Sequence, residues 1–303
     1  KLSSSFTDVA FGNNIFVAVA LYNSDAGTAS VIFTSTDGIQ WKFAYDGLES
    51  TDVNVYTNVA FGDGEFIALG GFSNTFIKST DGTTWTSPES FVSTGGLWRE
   101  FTFGGGVFLA VGNQKKILRS SDVGVTWETL SDKKVPNNAR CVTYGNGFFV
   151  TMGDGSDTAL WASYSADDGE TWVPYEAPAE YKDKAWFGIT FGQGTFVAVS
   201  RSAGLPKVIF NTLGAEGDMG NWETSTVPSF ADTLAWNAVG FGNDEFVSVA
   251  IDIFASTEND VLAMKSSNGG KDWTSLPTPS QDKLFMDTVT FGNDRFVALG
   301  AGI

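Results

Sequence analysis

Apolar residues along this chain come in short bursts split by glycine, asparagine or aspartate, and no window keeps a helical period of 3.6 residues. Seven bursts share the form V-x-F-G-x-x-x-F-V-A-V. They centre on Phe11-Gly12, Phe61-Gly62, Phe103-Gly104, Tyr144-Gly145, Phe191-Gly192, Phe241-Gly242 and Phe291-Gly292, 41 to 50 residues apart. In residues 57–69, T-N-V-A-F-G-D-G-E-F-I-A-L, two runs rich in β-branched and aromatic side chains flank an Asp/Gly turn, which predicts a tight hairpin. A second element follows six of the seven and ends at Trp41, Trp85, Trp127, Trp172, Trp222 or Trp273. In residues 76–85, F-I-K-S-T-D-G-T-T-W, it reads as strand, turn, strand.

Four strands in a unit of 40 to 50 residues match a propeller blade. The runs I-F-V-A-V, V-F-L-A-V and T-F-V-A-V are apolar on both faces, as inner strands wedged between neighbouring blades must be. The expected fold is therefore all-β: one β-propeller domain over residues 1–303, built of four-stranded antiparallel blades and seven-bladed. It comprises six complete repeats plus a C-terminal half repeat, residues 286–303. That half repeat lacks its outer two strands, and residues 1–5 are too few to supply them. Either they lie in sequence beyond a cropped terminus, the reading preferred here because an unpaired blade edge invites aggregation, or another chain donates them.

The Trp-ending element carries a more specific pattern. Ser120, Asp122, Gly124 and Trp127 fit S-x-D-x-G-x-T-W, as do Ser165, Asp167, Gly169 and Trp172. Ser266 and Trp273 bracket a copy with Asn268 for Asp and Asp272 for Thr. Copies at Ser35, Asp37 and Trp41 and at Ser79, Asp81 and Trp85 are one residue shorter, and the one before Trp222 is degenerate. The pattern resembles the Asp-box of sialidase-type (BNR-like) repeat propellers, of the kind found in phage tail and virion proteins and bacterial surface proteins. The resemblance implies that the box is a turn on the rim away from the ligand face, with Ser and Asp capping backbone N–H groups and Trp packing beneath. On that reading Asp37, Asp81, Asp122 and Asp167 are structural.

Composition narrows the function. A net charge of −17, with no Lys/Arg run longer than two, argues against nucleic acid and anionic membranes as partners, and no stretch is long and apolar enough for membrane insertion. Histidine is absent and Cys141 is the one cysteine, which removes the usual general base, the nucleophile pairs built on it and any Cys/His metal cluster. Sialidases, which the resemblance brings to mind first, clamp a substrate carboxylate with three arginines. Arg99 and Arg140 each stand four residues before a repeat's F-G aromatic, yet the equivalent positions elsewhere hold Thr7, Thr57, Phe187, Asn237 and Asp287, so a third arginine is missing. The chain is accordingly expected to be no enzyme, with no catalytic residue, no metal site and no cofactor. Asp252, Glu258 and Asp260, in a variable loop, have the oxygen chemistry for Ca²⁺, although a solvated loop is the commoner use of such residues.

Binding features remain. The position five residues before each F-G aromatic holds Phe6, Tyr56, Trp98, Ala139, Trp186, Trp236 and Met286. Rings there serve either packing between blades or stacking on sugars at the channel mouth. Tyr56, Trp98, Arg99, Arg140, Trp186 and Trp236 are thus the candidate mouth residues. Loops of variable length, at residues 21–30, 200–206, 214–220 and 250–260, are candidate contact sites. The expected function is that of a non-catalytic binding or structural module of an extracellular assembly, a phage virion appendage or a cell-surface filament, contacting protein partners or glycans. The alternative is a carbohydrate-active enzyme, glycosidase or lyase, or a lectin domain attached to one. A third possibility, a resemblance to the propellers of photosystem assembly, implies an arginine-rich face, against which the scattered arginines argue.

Overall fold

The computed structural model describes residues 4–24, 27–47, 55–71, 75–87, 96–131, 134–156, 160–175, 179–215, 217–251, 262–277 and 284–302. Each F-G burst is a hairpin. In chain order the seven are Ser4–Gly12 with Ile15–Ser24, Tyr56–Gly62 with Glu65–Gly70, Trp98–Gly104 with Val107–Gly112, Ala139–Gly145 with Phe148–Gly153, Trp186–Gly192 with Thr195–Ser200, Ala235–Gly242 with Glu245–Ile251, and Leu284–Gly292 with Arg295–Gly302. They are called hairpins one to seven below. The two residues at each tip both have positive φ, as in Asp63 and Gly64 (47° and 81°) or Asn243 and Asp244 (48° and 59°), the backbone of a turn that matches strand twist. Across each tip the F-G aromatic packs against the phenylalanine five residues on, with centroids 4.6 to 4.9 Å apart.

The first strands of the hairpins neighbour one another around a closed ring, the seventh lying beside the first. A side chain on the F-G glycine is forbidden by this packing. A Cβ on Gly62 would fall inside the Phe103 ring, one on Gly104 inside Tyr144, and so on round to Gly292, whose Cβ would fall inside Phe11. Hence glycine follows the aromatic in every repeat. The core lies between adjacent sheets, as where Trp161, Met152 and Val150 of one sheet meet Trp186, Phe196 and Ile209 of the next.

The expectation of seven four-stranded blades is corrected. The described strands form six sheets: four of four strands, one of three and one of six. The six-stranded sheet arises because hairpins one and seven join at the pair Ser5↔Ala301, merging the ends of the chain into one unit with Gly27–Ser35 and Lys42–Asp46. Tyr56–Gly62, Glu65–Gly70 and Phe76–Ser79 make the three-stranded sheet, which is extended by the single bridge Lys78↔Thr86. Hairpin seven has no outer strands among the described residues, and its second strand is less buried than its counterparts.

The turns ahead of the tryptophans are braced from within. Ser79 Oγ donates to Asp81 (3.0 Å) and accepts from the Gly82 N–H (2.8 Å), while the N–H groups of Thr83 and Thr84 both donate to Asp81 at 2.7 Å. Those two N–H groups hold the Asp81 carboxyl well below the usual carboxylate range. Ser35 and Asp37, Ser120 and Asp122, and Ser165 and Asp167 repeat the pattern. The indoles of Trp85, Trp127, Trp172 and Trp273 donate to the carbonyl of the turn glycine at 2.8 to 3.2 Å. The deviant copy compensates chemically. Asn268 accepts from Ser266 and the Asp272 N–H, then donates its amide to the Asp272 carboxylate at 2.8 Å, reversing the usual Thr-to-Asp bond.

Candidate functional site: an arginine-bearing channel mouth

Every first strand slips register at one place. The slips fall between Phe6 and Asp8, Tyr56 and Asn58, Trp98 and Glu100, Ala139 and Cys141, Trp186 and Gly188, Trp236 and Ala238, and Met286 and Thr288. The skipped residues are Thr7, Thr57, Arg99, Arg140, Phe187, Asn237 and Asp287. A bulge re-aims the side chain it skips. All but Thr57 line one cavity of about 660 Å³ at the centre of the ring, and Thr57 lines a smaller pocket of about 180 Å³ beside Arg99.

Arg201 also lines the cavity. It follows the second strand of hairpin five, and its N–H bonds the Ala185 carbonyl, which sets it beside the bulge. Asp154 holds the same place in hairpin four, through the Asn138 carbonyl. Phe187 therefore has two guanidinium neighbours, with Arg201 Cζ 4.5 Å and Arg140 Cζ 5.1 Å from its ring centroid. Arg140 is tied to Asp154 through Nε (3.2 Å) and Nη2 (2.8 Å), both on one carboxylate oxygen. Arg99 and Arg201 have no ion-pair partner among the described residues. Burial, with the charge of Arg140 nearby, lowers the proton affinity of both below the usual arginine value, while Asp287 and Asp154 work in the opposite direction. Beyond them Asn237 donates to Asp287 at 3.0 Å, and burial raises the Asp287 pKa although Arg201 opposes it.

Two carboxyls sit deeper in the cavity. Asp8 accepts from the Val59 N–H of hairpin two (2.8 Å), its neighbour Val9 (2.8 Å) and Thr288 Oγ1 of hairpin seven (3.2 Å), so it staples the first strand to both neighbours. Burial still pushes its pKa up to about 6. Glu100 lies far above the usual carboxylate value because of burial and the charge of Asp8. Glu100 follows Arg99 and Asp8 follows Thr7, each one position past a skipped residue, so these carboxyls share the cavity with the arc that carries the arginines.

The sequence reading therefore splits. Arg99 and Arg140 do line the mouth. Tyr56, Trp98, Trp186 and Trp236 do not offer faces there: they are at most 2% exposed and fill the space between sheets. Trp186 and Trp236 donate Nε1–H to the carbonyls of Tyr181 and Ala231, on the short helical turns that lead into their strands. A fixed position and a bulge immediately after it explain the difference, since the ring stays in the sheet while the next residue is turned into the channel. A third arginine of the mouth, Arg201, comes from just past the second strand of its hairpin, while Arg119 and Arg295 lie elsewhere. Cys141 is buried. The Ca²⁺ candidates Asp252, Glu258 and Asp260 lie outside the described residues, among which no cluster of three or more metal-ligating side chains occurs.

No protein-family model and no curated protein matches the chain. Solved structures do. It is similar to YCF48 from Cyanidioschyzon merolae (TM-score 0.68, 16% identity, covering 99% of this chain and 94% of that one). A streptogramin B lyase superposes with TM-score 0.70 at 13% identity, over 99% of this chain and 93% of that one. PorZ, an essential bacterial surface component of the type-IX secretion system of Porphyromonas gingivalis, matches with TM-score 0.67 at 11% identity over 97% of this chain, which spans about half (46%) of PorZ. None of these names is that of a sialidase. At such identities the likeness shows a shared fold, and the chain is a β-propeller.

Proposed function

We propose that this propeller is a non-catalytic binding module whose channel mouth holds a protein partner, within an extracellular assembly of the virion or cell-surface kind. The observation that carries the reading is the gathering of Arg99, Arg140 and Arg201 on one mouth in a chain of net charge −17, two of them in no ion pair among the described residues. Guanidiniums outside any ion pair keep their N–H donors available for a group that arrives. YCF48 has a structure bound to a D1 peptide, and PorZ is a surface component, so both partner type and setting have precedent on this fold. The Ser-x-Asp turns, which share their spacing with Asp-box repeats, then belong to the scaffold.

Catalysis is disfavoured by what the cavity holds. A virginiamycin B lyase of this fold is described as catalytically inactive when a histidine is replaced by alanine, and this chain has no histidine. Glycan binding loses its platform with Tyr56, Trp98, Trp186 and Trp236 buried. Panning a displayed random-peptide library on the intact chain and on the R99A/R140A/R201A variant, beside a glycan array and a turnover screen of any glycan bound, tests the proposal. Peptides enriched on the parent and lost on the variant are expected. Glycan binding that survives the substitutions, or turnover of a bound glycan, would overturn it.

A further inference from the structure

The chemistry of the mouth also specifies which group of a partner it takes, an inference that rests on the binding reading above. Of the three arginines Arg140 alone has an ion-pair partner among the described residues, Asp154. Arg99 and Arg201 stand on the hairpins either side of it, and each guanidinium offers several N–H donors in a plane suited to an oxygen pair. An arginine whose guanidinium is in no ion pair among the described residues is the part of the site a ligand can complete. An anionic ligand follows, and its density is bounded. Asp287 and, deeper, Asp8 and Glu100 line the same cavity, and the whole molecule is strongly acidic. Nucleic acid or another closely charged polyanion would meet these carboxylates along with the arginines, whereas separate singly charged groups meet only the basic arc.

Carboxylates of a sugar acid fit the charge but not the walls. Sugar faces are commonly held by stacking on an open aromatic ring, and the one ring among the skipped mouth residues, Phe187, already carries Arg140 and Arg201 near its face. A peptide needs no such ring. We infer that the mouth takes an acidic peptide segment, pairing its carboxylates with Arg99 and Arg201 while Arg140 stays on Asp154. Asp154 is then a positioning residue: it keeps Arg140 folded onto the wall, leaving the arc between Arg99 and Arg201 open.

The test uses the full chain and fluorescein-labelled hexapeptides read by fluorescence polarisation. Four probes separate the sources of carboxylate: Glu-containing with a free C-terminus, the same amidated, a Glu-to-Gln twin with a free C-terminus, and that twin amidated. The doubly neutral probe should bind about tenfold or more weakly than the first, as should the first probe on R99A or R201A. Lysine at either position, R99K or R201K, should restore part of the loss, because charge is kept and the fork is not. K42A, on an exposed outer strand, should bind like the parent, and thermal melts should show every variant folded. Whichever single neutralisation weakens binding more identifies the side-chain or terminal carboxylate as the group recognised. Equal affinity for the acidic and doubly neutral probes would overturn the inference, as would R99A and R201A binding like the parent. So would displacement of the peptide by sodium glucuronate or inorganic phosphate at comparable concentration. If panning returns neutral peptides that still need the mouth, the binding reading stands and this inference falls; if no peptide binds, both fall.

Discussion

Gly104 has no room for a methyl group, because a Cβ there would lie within the Tyr144 ring of the next hairpin. The neighbouring ring is itself packed on Phe149 and cannot swing away freely. G104A should therefore destabilise the fold by about 2 kcal/mol or more, as overpacked cores do, with a lowered urea midpoint and an unchanged m-value. The turn at Asn268 offers a finer experiment. Its amide donates to Asp272, so N268D alone sets two carboxylates against each other and should cost on the order of 1 kcal/mol. Adding D272T recreates the arrangement at Asp167 and Thr171, where the threonine hydroxyl donates to the carboxylate. The double variant should recover most of the loss, and a double-mutant cycle with no coupling would show that the two residues act separately.

At the scale of the element, the hairpins were legible in the sequence because their cause is local. Two positive-φ residues between β-branched runs fix the turn, and a two-residue turn fixes the register. The bulge was not legible, since Phe187 or Asn237 carries no side-chain signal that separates a skipped residue from a paired one. Without it Trp98 and Arg99 look equally placed for the mouth, although one is buried and the other exposed. Arg201 was missed for a different reason. Its place follows from the pairing of Trp186 with Ser200, so carrying the hairpin register one residue past that pair would have found it, and Asp154 likewise. The same bulge turns Asp8 and Glu100 toward the channel, with a consequence for pH. A carboxyl that holds its proton more tightly folded than unfolded adds stability at low pH and loses it as pH rises through the folded value. For Asp8 that window runs from its ordinary 3.8 to about 6, and for Glu100 it reaches higher. E100Q, which removes the carboxyl and the repulsion on Asp8, should raise the melting temperature at high pH and flatten its fall as pH rises above the ordinary 4.5. The same pH dependence in parent and variant would exclude Glu100 as the cause.

Across the whole molecule, the closure between hairpins seven and one repeats a contact made between hairpin one and the sheet that follows it. Asn13, at the tip of hairpin one, donates to the Thr80 carbonyl in the turn of the next sheet at 2.9 Å, and Asn293, at the tip of hairpin seven, donates to Thr36 at 2.9 Å. The last hairpin adds one contact, from Arg295 to the Asp37 carbonyl at 2.7 Å. It is the hairpin without outer strands among the described residues, so it buries less surface than its counterparts and depends more on such bonds. Repeat architectures lose stability where a neighbour interface is weakest, and opening there need not unfold the rest. R295A should therefore leave the global melt within a few degrees of the parent yet speed amide exchange along Ser4–Gly12 and Leu284–Gly292, with Ala139–Gly145 on the far side unchanged. Asp8 accepts from Thr288 across the same closure, so D8A should accelerate the same amides. Exchange that quickens evenly around the ring in either variant would mean that the closure is no weaker than any other interface, and that the merged six-stranded sheet is as firmly built as the four-stranded ones.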